Sequence, residues 1–190
     1  MSERPIGLNL LGYSDPIEET ESTWSAGNRT VLEGAVSVSK TDNRTRTNIP
    51  ADDDPAWDIE NEWTDTQLVI TIRQLNLEDQ SNLQGSETDA SGAVLEGPDD
   101  IAPQVALNFA SEKRDGTYRC YTYFNCVLAD IQITHNTKGS GGTSDFQLTF
   151  TCKKRMCDGK ARSVIGVADM AAARAYLAEF PVYPAVAPGG

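Results

Sequence analysis

Between Asp145 and Lys153 the side chains alternate without a break, with Phe146, Leu148, Phe150 and Cys152 on one side and Gln147, Thr149 and Thr151 on the other. A strict period of two is that of a strand with one buried and one wetter face, and no helix can place those four apolar groups together. Gln67–Ile72 repeats the pattern with Leu68, Ile70 and Ile72, and Gln104–Phe109 sets Val105, Leu107 and Phe109 against Ala106 and Asn108. Gly34–Lys40 places Val36 and Val38 on one face. Gly116–Thr134 reads as one long strand or two joined at a bulge, Tyr121 and Tyr123 alternating with Thr122 and Phe124. Short alternating strands rich in β-branched and aromatic residues predict a mainly β, antiparallel (α+β) domain. Lys138–Ser144, glycine-rich, is expected to be a flexible hairpin loop.

Two segments carry helix signals instead. Asn76 can cap a short helix that has Glu78 and Asp79 in its first turn and Gly85 just past its end. Asp169 caps a second one, expected to run to about Phe180, with Ala173, Tyr176, Leu177 and Phe180 as its apolar stripe and Pro181 as its stop. The 190 residues suit one domain, here 31–180, flanked by an N-terminal arm (1–30) and a Pro-rich tail (181–190). Within it Thr41–Asp65 reads as a long loop. It holds seven acids, Asp52, Asp53, Asp54, Asp58, Glu60, Glu62 and Asp65, yet also Trp57, Ile59 and Trp63, which a disordered acidic tract lacks.

The formal net charge of −12 argues against a conventional nucleic-acid reader or a membrane-surface protein. It is unevenly spread: residues 1–110 hold twenty-one acids and six bases, residues 111–190 seven acids and ten bases. No stretch approaches the ~20 apolar residues of a membrane-spanning helix, and Met1–Gly12 does not read as a secretory signal, so a reducing cytoplasm is expected. Cys120, Cys126, Cys152 and Cys157 lack the spacing of most zinc sites; buried free thiols are the plain reading, with zinc or a disulfide as alternatives.

Chemistry-bearing motifs are sparse. Asp52, Asp53 and Asp54 could face a divalent cation, but Pro55 breaks the calcium-loop pattern and a solvated acidic loop is preferred. The glycines after Lys138 lack the order of a phosphate-binding loop. His135 is the sole histidine, which removes most general-base schemes; a carboxylate-pair hydrolase is the least favoured reading. No enzymatic activity, cofactor or metal is expected.

Seven short motifs occur in order: Ala51–Asp54, Ile70–Ile72, Leu83–Gly85, Asp89–Gly92, Pro103–Phe109, Asp115–Arg119 and Thr137–Lys138. Together, over roughly residues 50–160, the chain resembles the major tail proteins of long-tailed bacteriophages. The resemblance implies a β-sandwich or barrel with a flanking helix, six copies closing into a ring, and rings stacking head to tail into a hollow tube. It further implies assembly in the host cytoplasm, a place in the virion tail, and a tape measure protein, a tail terminator and a distal tail protein as partners. DNA would pass through the lumen without specific binding. Ring contacts are expected from the long loop, with Arg44, Arg46, Asp52, Asp53, Asp54, Trp57 and Trp63 as candidates, and from both chain ends. The competing readings are a monomeric β-sandwich module for cell-wall glycan, and a related tail terminator or distal tail component.

Overall fold

One strand organises the molecule. In the computed structural model, which describes residues 5–51, 54–135 and 145–184, the order is β1 (Pro5–Ser14), β2 (Glu18–Glu19), β3 (Trp24–Ser25), β4 (Arg29–Val31), β5 (Ala35–Ala51), β6 (Asp54–Ile72), α1 (Leu77–Gln84), β7 (Glu87–Thr88), β8 (Val94–Leu95), β9 (Gln104–Lys113), β10 (Tyr118–Ile133), β11 (Phe146–Lys153), β12 (Arg162–Val167) and α2 (Met170–Leu177). β10 pairs β9 on one edge. On the other edge it pairs first β12, from Tyr118↔Val167 to Tyr123↔Arg162, and then β11, from Asn125↔Lys153 to Ile133↔Phe146. A register shift between Tyr123 and Cys126 marks the bulge expected there, and bulges bend a strand. The two halves of β10 therefore belong to two sheet regions, one continued by β9, β1 and β4, the other by β11, β6 and β5. All pairs in this sheet are antiparallel.

The sheet curls around one core. Leu68, Ile70, Ile72, Leu148, Phe150 and Cys152 are fully buried, on the faces their alternation assigned. Leu107, Phe109 and Tyr123 meet them from the other half. Each such side chain contributes about 1.5–3 kcal/mol by leaving water. β9 is covered on both faces, because its second face carries only Ala106, Asn108 and Ala110, small enough for α2 and the chain ends to lie close. Asn108 is buried but satisfied, accepting from Arg29 Nε at 2.8 Å and donating to the Leu177 carbonyl at 3.0 Å.

Both helices start where expected. The Asn76 side chain accepts from the Asp79 amide at 2.6 Å, and the Asp169 side chain from Ala172 at 2.8 Å. Gly85 ends α1 in the left-handed region (φ 74°), and a Cβ there would stand 2.1 Å from the Ile101 carbonyl oxygen, so only glycine fits. Tyr13 ties β1 to α1 by donating to Asp79 at 2.8 Å; burial, reinforced by that carboxylate, pushes its phenol up to about 12. α2 ends at Leu177, a turn before the expected Phe180, since Pro181 disfavours the helical conformation at the residue before it. Phe180 is buried nonetheless.

Several expectations need correction. The N-terminal arm is not an arm: from Pro5 on it is β1, hydrogen-bonded between β4 and β9, and it contributes Leu11, Tyr13 and Trp24 to the buried interior. Of the Pro-rich tail, Tyr183 exchanges backbone hydrogen bonds with Trp24 at 2.9 and 2.8 Å, and residues 185–190 lie outside the described ones. Val36 does not face the core but is 46% exposed, because it is the extra residue of a bulge between the Ala35↔Ile72 and Ser37↔Thr71 pairs. Cys126 and Cys152 are direct cross-strand partners joined as a disulfide rather than free thiols, while Cys120 and Cys157 are free. His135 is exposed, and the loop expected at Lys138–Ser144 falls outside the described residues. The largest correction concerns Thr41–Asp65, which is no loop.

Candidate functional site

Thr41–Asp65 is the outer part of a β-hairpin. β5 and β6 stay paired from Ala35↔Ile72 to Ala51↔Asp54. β6 also pairs β11, but only as far as Thr66↔Cys152. Beyond Thr66 the two strands continue as a ribbon that leaves the sheet, roughly 25 Å long at ~3.3 Å per residue. Thr45 and Thr47 suit a strand, and alternation holds, but both sides of each strand are polar, so the period of two carries no apolar signal. An isolated two-stranded ribbon is marginal in water, and its edges are open to further pairing. This one survives because its root is stitched to the domain.

The root is a charged knot. Asp42 accepts from Thr66 Oγ1 at 2.7 Å and from Arg162 Nη1 at 3.2 Å, and its second oxygen is bound by Lys40. Trp63, half-buried, lays its ring against this knot, Nε1 donating to Thr66 at 3.3 Å. Burial alone would raise the Asp42 carboxyl; the hydrogen bonds from Lys40 and Thr66 and the charge of Arg162 outweigh it and hold the group at about 2, below the ordinary 3.8. Lowering a carboxyl on folding means a contribution to stability that is complete above the ordinary value and fades as pH falls through the lowered one. Acidification from pH 3.8 towards 2 is therefore expected to loosen the ribbon root. Amide protection at Asn43 and Thr66, the exchange rate relative to that of an unstructured peptide at the same pH, should fall across that window in the parent and change little in Asp42→Asn, which lacks the titrating group.

Register sorts the ribbon into two faces, since cross-strand partners share a side. The pairs Thr45↔Glu62, Thr47↔Glu60 and Ile49↔Asp58 make one face, acidic and hydroxylated, with Ile49 as its exposed apolar residue. Arg44↔Trp63, Arg46↔Asn61 and Asn48↔Ile59 make the other, cationic and partly apolar. Of the candidate residues, the structure thus brings Arg44, Arg46 and Trp63 together on one surface. Asp52 and Asp53 lie outside the described residues, as do the side chains of Asp54 and Trp57. The root residues Lys40, Asp42 and Arg162 were missed. Lys40 and Asp42 carried a weak signal, opposite charges two apart on a strand, but Arg162 is 120 residues from Asp42 and no spacing rule reaches it.

A cleft of about 680 Å³ opens beside the root, lined among others by Leu8, Val38, Lys40, Tyr121 and Arg162. Its floor is the Phe109–Tyr121 ring stack, centroids 5.0 Å apart. The described residues lining it include no carboxylate.

The sequence model of one family, described as phage tail tube protein, matches residues 43–165, well over half of the chain and including most of the ribbon. The chain belongs to that family. Tail tube proteins are structural, and the chain is accordingly a β-rich structural component of the virion tail. No curated protein matches it in sequence. Among solved structures it is similar to a chain of the anti-feeding prophage baseplate, determined by cryo-electron microscopy with six-fold symmetrisation, at TM-score 0.44 and 12% identity over 88% of this chain and 99% of that one. It is also similar to the crystal structure of an Hcp protein, at TM-score 0.39 and 8% identity over 85% of this chain and 100% of that one. No described helix of this tail tube protein is long and apolar enough to cross a membrane.

Proposed function

We propose that six copies of this chain close into a ring and that rings stack head to tail into the hollow tube through which DNA is delivered. The observation that carries this reading is the ribbon: some twenty residues of paired strand with little core of their own, projecting from a domain that is complete without them. Beyond its stitched root such an element is marginal in water, and its open edges suit contact with a second copy. Head-to-tail contact is heterologous, so it need not close and can grow a filament. The acidic balance suits a lumen that must pass DNA without holding it, because phosphate binding requires Lys or Arg. Contacts with a tape measure protein, a terminator and a distal tail protein, and assembly in the host cytoplasm, follow from the same role. Arg44, Arg46 and Trp63 are the described candidates for the subunit contact, with Asp52, Asp53, Asp54 and Trp57 beside them in sequence.

A glycan-binding module would instead use aromatics such as the Phe109–Tyr121 stack of the cleft and would not self-assemble. Negative-stain microscopy and sedimentation velocity of the purified chain are expected to show rings or tubes whose proportion rises with concentration. A species that stays monomeric at millimolar concentration would remove the tube reading.

A further inference from the structure

The cationic ribbon face has a match at the other end of the domain. β5 and β6 run from the Ala51↔Asp54 pair, far out on the ribbon, to the Ala35↔Ile72 pair, and four residues after Ile72 the chain enters α1. α1 and the β7–β8 hairpin sit at that far end, with Asp79 bonded to Tyr13 and a shallow cleft between Ser86 and Asp100 on one side and Leu128 and Ile131 on the other. Residues 74–111 contain seven acids and no base. Glu78, Glu87, Asp89, Glu96, Asp99 and Asp100 form no ion pair with any described residue. Apolar groups are exposed among them: Leu77 at 57%, Leu95 at 54% and Ile101 at 84%. The ribbon presents the complement. Arg44 and Arg46 are exposed and make no side-chain hydrogen bond or ion pair with a described residue, and Ile59 beside them is 44% exposed.

We infer that the Arg44/Arg46/Trp63 face of the ribbon docks onto the acidic α1 lobe of a second copy. The occupant is identified by charge and by placement. Two unpaired guanidinium groups on one face meet a lobe without a single base, and exposed isoleucine and leucine side chains on both sides exclude water between them. Because the two surfaces lie at opposite ends of the same pair of strands, no copy can satisfy its own ribbon. The contact therefore repeats along a stack, acidic end to cationic ribbon. This rests on the tube reading and specifies which surfaces meet.

Charge reversal tests it in the full-length chain. Arg44→Glu with Arg46→Glu, and separately Glu78→Lys with Asp99→Lys, place like charges across the contact while touching only exposed side chains. Each pair is expected to raise the critical concentration for tube growth by about a hundredfold, the size of effect that like-charge juxtaposition of a few kcal/mol gives. All four changes in one chain return opposite charges to those positions within a lobe that keeps five acids, and the critical concentration should fall at least about tenfold below that of the Arg44→Glu, Arg46→Glu variant. Circular dichroism checks that every variant stays folded. Parent tubes together with reversed variants that polymerise normally, or four-fold variants that fail to recover, overturn the pairing and leave the tube reading intact. A parent chain forming neither rings nor tubes overturns both.

Discussion

Excising residues 43–65 and joining Asp42 to Thr66 through an Asn-Gly turn is expected to give a folded monomer that forms no tubes at any concentration. The cut removes strand residues as matched partners, from Asn43↔Asp65 outward, so no backbone group of the remaining sheet loses its partner. Two residues are the natural length for a hairpin turn, and Asn-Gly adopts the positive φ values that match strand twist. Every residue of the main core lies outside the excised segment, and the Asp42 contacts to Thr66, Lys40 and Arg162 remain in place. The melting temperature should stay within a few degrees of the parent. Removing only residues 41–50, which a loop would tolerate, should do much worse: it strips one strand from a pair and leaves the outer half of β6 without hydrogen-bond partners inside the domain. Sedimentation velocity and negative-stain microscopy read the assembly, and thermal melts read the fold. Tubes grown from the trimmed chain would show that the ribbon is dispensable and would remove the basis of the assembly argument.

The contrast between those two deletions shows where the sequence is legible. β6 from Gln67 to Ile72 and β11 could be read directly, because an apolar residue at every second position means burial on one side. The caps at Asn76 and Asp169 could be read because their chemistry is local. The ribbon alternates just as regularly, yet between Thr and Arg, or Glu and Asn, so period two separates one polar face from another and resembles a loop. Its register spans about twenty residues, and only that register puts Arg44 beside Trp63. β1 was hidden differently. It carries two register breaks against β9, between Pro5 and Gly7 and between Asn9 and Gly12, and Leu10 adopts φ 56°. These breaks scramble the alternation. Gly12, where a Cβ would stand 2.7 Å from the Arg29 guanidinium, gives up a side chain so that Arg29 can reach Asn108 and the Leu10 carbonyl.

Trp24 is the largest fully buried side chain of the described residues, and it lies in the segment that composition suggested was an arm. Trp24→Ala is expected to be the most damaging single substitution among the positions considered. The indole is 1% exposed, stands edge-on to Phe124 with centroids 5.2 Å apart, and donates from Nε1 to Asn125 at 2.7 Å. Its backbone holds Tyr183 through two hydrogen bonds. Arg155, itself buried, lies 3.8 Å from the Phe124 centroid and 5.3 Å from that of Trp24, with its guanidinium bound to Asp158. Truncation leaves a cavity, an acceptor on Asn125 short of a donor, and a buried guanidinium short of one of its aromatic neighbours. Phe/Trp→Ala changes in cores cost about 3–5 kcal/mol, which lowers the melting temperature by about 10 °C for a domain of this size. Trp24→Phe retains most of the volume and loses the indole hydrogen bond, so roughly 1–3 kcal/mol is expected. A drop of less than ~3 °C in Trp24→Ala would mean that the N- and C-terminal segments are held by something other than this plug. The assembly readout should separate from the stability readout. The partners of Trp24 given above, Phe124, Asn125, Arg155 and Tyr183, belong to neither the ribbon nor the α1 lobe, so Trp24→Ala should still build tubes at temperatures where it is folded. The ribbon-less chain, though stable, should not build them at all.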